Sequence, residues 1–151
     1  MIKNKIFSVE NSVIVSFNYR WFDQIINGKI GVFFRKRGPS KTPSHVIMYI
    51  GAPLSSVVSI AEVEKIATVD LQTSLMLAKL GCISEDELRN YVGEDGLVTA
   101  IFIKNHRKFD RCLSISDLKK ILNFHPPQNF IKINKNVMQL IEKMGNEKKI
   151  N

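Results

Sequence analysis

Residues 15–37, VSFNYRWFDQIINGKIGVFFRKR, contain the pattern that decides the fold. A β-rich run at 13–17 leads into this stretch, and apolar side chains then recur at helical spacing between positions 21 and 26. Gly28, which follows an asparagine, is typical of the end of a helix. The apolar residues 30–34 predict a second strand that passes directly into basic residues. The stretch therefore predicts a strand, a short helix and a second strand with a positively charged end.

The rest of the chain adds short strands and a few helices. Further strands or extended segments are predicted at residues 45–51, 55–66, 97–105, 107–115 and 125–133. Helices are predicted at 70–81, 84–93, 116–122 and 137–144, with N-terminal caps at Asp70, Ser84 and Ser116. Because most connections between strands are short, a small closed barrel fits better than a doubly wound sheet. We expect an α+β protein, mainly β, built on a mixed or antiparallel β-barrel with peripheral helices.

The length and charge of the chain bound its domain count and its partners. Its 151 residues suggest one domain, which we place at residues 1–134, followed by a C-terminal helix and polar tail at 135–151. The net charge is +8. A small basic domain is a candidate for binding nucleic acid, nucleotides or another acidic partner, although a solvated lysine-rich surface gives the same charge.

Several function classes are disfavoured by what the sequence lacks. It contains no GxGxxG, GxxxxGK[ST], GxSxG or HExxH motif. Its three histidines are far apart and its two cysteines form no CxxC pair, so we expect no metal site and no cofactor. No apolar stretch is long enough to span a membrane, and the first residues lack the apolar core of a signal peptide. We therefore expect a cytoplasmic protein without a membrane partner.

Two basic clusters are the remaining candidates for a binding site. The first comprises Arg35, Lys36, Arg37 and Lys41, and the second comprises Lys104, His106, Arg107, Lys108 and Arg111. Arginine binds phosphate with two parallel hydrogen bonds, and lysine adds a point charge. We predict nucleic-acid contacts from Arg35, Lys36, Arg37, Lys41, Arg107 and Lys108, with base stacking on Tyr19, Phe34 or Phe109. Alternate residues of a strand point to opposite faces, however, so 35–37 need not form one patch.

Residues 15–37 also resemble the opening of an ASCH domain, a branch of the PUA-like superfamily. In that family a strand leads to a helix and then to a glycine, a lysine, an acidic residue and an arginine at fixed spacing. Later segments resemble the family in the same order, namely HVIMYIGAPLSSVVSIAEVEKI (45–66), LVTAIFIKNHRKFDRCLSISDLKKI (97–121) and HPPQNFIKI (125–133). The resemblance covers nearly the whole chain short of the tail.

This resemblance implies a PUA-like β-barrel with a cleft between the first helix and the barrel. Proteins of the family have been proposed to bind RNA, often as regulators of transcription or translation. Some small relatives hydrolyse acetylcytidine, and others are reported to cleave RNA. Gly28 and Arg35 stand at the family's glycine and arginine. The positions expected in the cleft are Asn18, Tyr19, Tyr49 and Gln128.

Two family positions that carry polar or charged groups are apolar in this chain. The family lysine falls on Ile30, and the acidic or threonine position falls on Phe33. Neither side chain can activate water, attack a substrate or move a proton. Lys29, through a bulge at Gly31, and Glu62 are the weak catalytic candidates. We therefore expect an RNA- or nucleotide-binding domain that is a non-catalytic regulator. The alternative is a hydrolase of a modified nucleoside or of RNA that uses the same cleft.

The C-terminal helix carries one apolar face. The positions that recur at helical spacing are Val137, Leu140, Ile141 and Met144. Such a face packs either against its own domain, which is the simpler interpretation, or against a second copy of the chain in a homo-oligomer.

Overall fold

The computed structural model describes residues 10–146. Its strands are β1 (Glu10–Phe17), β2 (Val32–Arg35), β3 (His45–Ile50), β4 (Ser56–Asp70), β5 (Leu97–Ser114) and β6 (Phe130–Asn134). A 3₁₀ helix (Tyr19–Trp21) leads into α1 (Phe22–Ile26), and the later helices are α2 (Leu71–Met76), α3 (Glu85–Val92), α4 (Ile115–Leu118) and α5 (Lys135–Gly145). No helix in this part of the chain is long and apolar enough to cross a membrane. The predicted class, α+β and mainly β, is confirmed.

All six strands belong to one mixed sheet with the order β2-β5-β4-β3-β1-β6. Strands β1 and β3 run parallel, and the other neighbours are antiparallel. Within residues 10–146 the sheet does not close, so the prediction of a closed barrel is corrected. Strand β1 pairs with β3 on one side and with β6 on the other, which leaves no free edge for β2. Strand β2 is also only four residues long, too short for a second extensive ladder.

Side chains join the two ends of the sheet where a closed barrel would have a backbone ladder. The Nη2 group of Arg35, on β2, donates to the main-chain oxygen of Ser16, on β1, at 2.8 Å. The Nδ2 group of Asn129, which precedes β6, donates to the main-chain oxygen of Arg37 at 2.8 Å. The sheet is therefore curled strongly enough for single side chains to span the gap between its ends. We call this gap, bridged by Arg35 and Asn129, the seam.

Strand β5 replaces the two strands predicted at 97–105 and 107–115. Asn105, inside β5, has a φ of +52°, and the pairing with β4 shifts register between Ile60 and Glu62. Asparagine enters the left-handed region more readily than most residues, so a bulge is accommodated here. The bulge changes the register, but the strand continues on its far side.

The helix starts follow the capping side chains. Asp70 and Ser84 cap α2 and α3 as predicted, each accepting a bond from the main-chain N–H three residues on. Helix α4 begins earlier than predicted, with Ser114 rather than Ser116 as its cap. Ser114 and Asp117 exchange two hydrogen bonds in a capping box, which explains why the earlier serine is preferred.

Apolar side chains pack on both faces of the sheet. On one face, α1 covers a cluster that includes Val15, Ile25, Ile30, Phe33, Met48 and Ile101. On the other face, α4 and α5 cover a cluster that includes Tyr49, Phe109, Leu118, Phe124 and Ile141. A third cluster joins α2 and α3 to β2 and to the start of β5. This third cluster holds α3 beside the open side of the sheet.

Helix α5 packs against the sheet. Met138 and Ile141 are buried in the second cluster, whereas Leu140 remains 45% exposed. Most of the predicted apolar face therefore has a partner within the same chain.

Candidate functional site

A cleft of about 680 Å³ lies on the open side of the sheet. Its walls are the end of β1 with the 3₁₀ helix, strand β2 with the residues that follow it, helix α3, and residues 128–129. These elements come from four separate parts of the chain, so only folding assembles the site. Six of the predicted site residues line it: Asn18, Phe34, Arg35, Lys36, Arg37 and Gln128.

Arg35 has the most constrained cation in the cleft. Its Nη1 and Nη2 groups donate to the main-chain oxygens of Phe34 and Ser16, both at 2.8 Å. The guanidinium carbon lies 4.9 Å from the ring centre of Phe17 and 5.1 Å from that of Phe33. Burial lowers the pKa of Arg35 from its ordinary value, and the Tyr91 phenol partly opposes this shift.

The unused hydrogen-bonding capacity of Arg35 is a feature that a ligand can exploit. A guanidinium has five N–H donors, and the structure shows two of them bonded to protein oxygens. Because the two existing bonds hold the plane of the group, the remaining donors have a fixed direction. Such a preorganised cation can recognise a phosphate oxygen or an acceptor on a base edge.

Two aromatic rings in the cleft each carry a cation on one face. The guanidinium carbon of Arg20 lies 4.3 Å from the ring centre of Trp21, and the Nζ atom of Lys36 lies 5.3 Å from that of Tyr91. Tyr91 also accepts a hydrogen bond from the main-chain N–H of Lys36, at 3.1 Å, which ties α3 to the end of β2. These rings, flanked by long cationic side chains, are suited to stacking with a planar ligand.

The charges at the rim of the cleft are mostly positive. Lys36 and Arg37 are exposed, and no carboxylate among the described residues pairs with them. Arg20 forms a salt bridge with Glu87, on α3, which is the only carboxylate that lines the described cleft. Glu87 therefore neutralises one of the four cations and leaves a net positive cavity.

Asn129 joins the cleft to the loop that follows β2. Its Nδ2 group donates to the main-chain oxygen of Arg37, and its main-chain oxygen accepts from Ser16 N–H at 3.1 Å. The Oδ1 atom is buried without a hydrogen-bond partner in the described structure. An unpaired buried acceptor costs free energy, so a ligand donor that reaches it would be favoured.

Solved structures of known proteins share this architecture, although no family model and no curated protein matches the chain. ASCH from Zymomonas mobilis is 28% identical over 87% of this chain and 93% of its own, with a TM-score of 0.79. A serine-to-alanine variant of that protein is 26% identical over 89% of this chain and 96% of its own, with a TM-score of 0.80. The chain has the fold of an ASCH domain.

A more distant structure shares the fold alone. The N-terminal domain of McrB from Staphylothermus marinus has a TM-score of 0.62 at 10% identity, covering 91% of this chain and 96% of its own. At this identity the likeness concerns the path of the chain and not the chemistry of the cleft. The likeness therefore concerns the fold, and the side chains of the cleft must be considered individually.

Some residues predicted for the site lie outside the cleft of this ASCH fold. Tyr49 is buried on the opposite face of the sheet, where its ring centre lies 5.6 Å from that of Phe124. Tyr19 is 43% exposed and stacks on Phe22, at 5.8 Å, but it does not line the cleft.

The second basic cluster is also separate from the cleft. Arg107 forms a 2.8 Å salt bridge with Glu142 of α5, and Lys108 is exposed on β5 opposite Ser59. Lys41 lines a smaller groove beside β1 and β6. The two clusters therefore do not merge into one continuous patch through the cleft.

The two weak catalytic candidates also lie outside the cleft. Lys29 is exposed in the loop before β2, whereas Ile30 and Phe33 line the cleft with only 3% and 5% of their surfaces exposed. Glu62, on β4, accepts a 2.8 Å hydrogen bond from the Nδ2 group of Asn105. Across residues 10–146, no group of three or more His, Cys, Asp or Glu side chains is arranged to hold a metal ion.

Sequence reasoning missed several cleft residues. Glu87, Tyr91 and Asn129 reach the site because α3 and residues 128–129 fold against β2. Of these three residues, only Asn129 could have been predicted from the sequence, because it follows Gln128, which the family resemblance had already placed in the cleft. For Glu87 and Tyr91 no local pattern indicates that their helix forms a wall of the site.

Proposed function

We propose that the protein is a non-catalytic binding module for RNA, or for a nucleotide within it, and that the cleft is its binding site. The observation that carries this proposal is Arg35, whose guanidinium is fixed at the seam with three N–H donors not used by the described part of the protein. A fixed, partly buried arginine is well suited to a phosphate or to the edge of a base.

The aromatic rings supply the second kind of contact that a nucleotide needs. Trp21 and Tyr91 line the cleft, and Tyr91 is 37% exposed. Stacking of a base on such a ring contributes about 1–3 kcal/mol and tolerates different bases. Lys36 lies over the Tyr91 ring and can move aside to a phosphate as a base takes its position.

The charge of the rim supports an anionic ligand. Lys36 and Arg37 extend the positive charge of Arg35 towards the exposed loop. Their phosphate contacts would release counterions, so binding should weaken steeply as salt concentration rises. Occupancy of an RNA segment is the means by which such a module would act as a regulator.

Binding is favoured over hydrolysis by the residues at the two family positions. Ile30 and Phe33 are buried and apolar, and neither can activate water or transfer a proton. Glu87, the carboxylate of the described cleft, is engaged by Arg20. A general base in the cleft would need a free carboxylate or imidazole within hydrogen-bonding distance of the attacking group.

A binding series with labelled single-stranded RNA of about ten nucleotides tests the proposal. Fluorescence anisotropy between about 50 and 200 mM salt should show affinity that falls linearly on a log–log plot. Tyr91→Ala should weaken binding about fivefold or more, whereas Tyr91→Phe should retain most of it. Tyr19→Ala is the matched control, since Tyr19 is similarly exposed but lies outside the cleft. Absence of binding by the unmodified protein at low salt would refute the proposal.

A further inference from the structure

A second concave surface lies beside the cleft, along the outer edge of the sheet. It has a volume of about 300 Å³ and lies between β1, β6 and the loop that follows β2. Lys41 and Lys132 line it together with the hydroxyl-bearing residues Ser40 and Thr42. We call this surface the edge groove.

The same two chain segments, the loop after β2 and the segment that leads into β6, contribute lining residues to both the cleft and the edge groove. Arg37 and Asn129 line the cleft, and a few residues further along the same two segments Lys41 and Lys132 line the groove. The bond from Asn129 Nδ2 to the Arg37 oxygen holds the two segments together at the junction. Lys132 is three positions after Asn129, which corresponds to about 10 Å along an extended chain.

The side chains of the edge groove are suited to an anion. Lys41 and Lys132 are exposed, and no carboxylate in residues 11–146 forms a salt bridge with either of them. The hydroxyls of Ser40 and Thr42 add hydrogen-bond donors to the lining of the groove. The ligand group that ammonium and hydroxyl donors can bind together here is a phosphodiester.

We propose that the cleft and the edge groove form one track for a single strand of nucleic acid, so that the ligand is an oligonucleotide rather than a free nucleoside or mononucleotide. This inference rests on the proposed function. One nucleotide occupies the cleft, with its base near Tyr91 and its phosphate near Arg35. The backbone then crosses the Arg37–Asn129 junction, and Lys41 and Lys132 bind phosphates of neighbouring nucleotides.

A comparison of ligands with different lengths tests the track. The double variant Lys41→Ala/Lys132→Ala should bind single-stranded RNA about tenfold more weakly at low salt than the unmodified protein. Its salt slope should be smaller by about 1.4, because the variant would neutralise two fewer phosphates of a single strand. The affinity for a mononucleotide should not change, because that ligand does not reach the groove.

The matched control is Lys119→Ala/Lys120→Ala, which removes two exposed lysines that immediately follow α4, one of them 3.9 Å from Asp117. Melting temperatures of both double variants equal to that of the unmodified protein would show that neither disturbs folding. If both double variants bind RNA alike while Tyr91→Ala still weakens binding, the track is wrong and the proposed function stands. Lys132 would then serve only to protect an edge strand from pairing. If the unmodified protein binds no RNA at all, the proposed function fails first.

Discussion

The Nη2 group of Arg35 donates a hydrogen bond to the main-chain oxygen of Ser16, at 2.8 Å, across the open side of the sheet. The bond connects an edge strand to a strand that is already paired on both sides. A side chain therefore takes the place of a backbone ladder, and the space beside it remains accessible as the cleft. The same guanidinium serves the fold and the candidate site.

Arg35→Lys tests this dual role. Lysine keeps the charge but lacks the planar fork that reaches both the Phe34 and Ser16 oxygens. We expect the free energy of unfolding to fall by about 1.5–3 kcal/mol, the range for a bond made by a charged group. RNA affinity should fall as well. Urea denaturation and anisotropy provide the two measurements.

Arg37→Lys is the control for that substitution, since the exposed Arg37 side chain makes no comparable bond across the seam in the described structure. Its stability should change by less than about 0.5 kcal/mol. Equal stabilities of Arg35→Lys and the unmodified protein would contradict the structural role of the seam bond.

Glu87→Gln should strengthen RNA binding. The change releases Arg20 from its salt bridge and removes a negative charge from the cleft. Exposed ion pairs contribute about 0.2–1 kcal/mol, so we expect affinity to rise by up to about fivefold with little change in stability. Glu85→Gln, on the same helix but outside the cleft, is the matched control for net charge. Weaker binding of Glu87→Gln would mean that this carboxylate contacts the ligand favourably.

His106 should make stability depend on pH below neutrality. Burial lowers the pKa of His106, and the main-chain hydrogen bond to Ile30 partly opposes this. The unfolded chain, with a histidine pKa of about 6.5, then binds the proton more readily than the folded protein. The contribution of His106 is therefore complete above that pH and declines as pH falls towards the lower pKa of the folded state.

Melting temperatures measured between pH of about 7.5 and 5 test this dependence, since aspartates remain ionised there. His106→Gln should have a flatter profile than the unmodified protein. The exposed His125 provides the control variant, His125→Gln, which should leave the profile unchanged. A steep profile that persists in His106→Gln would assign the dependence to another group.

Ile141→Ala should destabilise the protein by about 2–5 kcal/mol, because Ile141 is fully buried between α5 and the sheet. Leu140→Ala, at a neighbouring position that is 45% exposed, should change stability by less than about 0.5 kcal/mol. Denaturation should be combined with sedimentation measurements of mass. If Leu140→Ala instead converts an oligomer to a monomer, the exposed side of α5 is an interface between copies.

Gly28→Ala should cost about 1–2 kcal/mol, because Gly28 has a φ of +65°, in the left-handed region. The added Cβ would also lie 3.3 Å from the Cβ of His106. Gly51→Ala is a suitable comparison, since its added Cβ would have the Phe17 oxygen as its nearest neighbour, at 3.7 Å. Similar melting temperatures for both variants would show that the turn before β2 does not require glycine.

Local features of the sequence predicted most elements of the fold. Apolar periodicity placed β1, α1 and β2 in order, and side-chain caps placed the starts of α2 and α3 at Asp70 and Ser84. These features depend on neighbours within one helical turn or one strand. They fail where alternatives compete locally, as at Ser114 and Ser116, because the better capping box depends on the geometry of Asp117.

The faces of the strands were harder to assign. Tyr49 was expected in the cleft, but the side chains of β3 alternate regularly between the two faces of the sheet. Met48 packs on the face covered by α1, and Tyr49 packs on the opposite face. A strand buried on both faces gives no alternation of polarity, so sequence alone does not show which face adjoins the site.

By itself, the sequence determined the order of the elements and the basic end of β2, since both depend on residues close together in the chain. Tertiary structure alone decided that the sheet stays open, that Tyr91 and Asn129 line the same cleft as Arg35, and that the second basic cluster lies elsewhere. Strand pairing and side-chain bonds across the seam join residues far apart in the chain. Their geometry follows from the curl of the whole sheet, which no local pattern specifies.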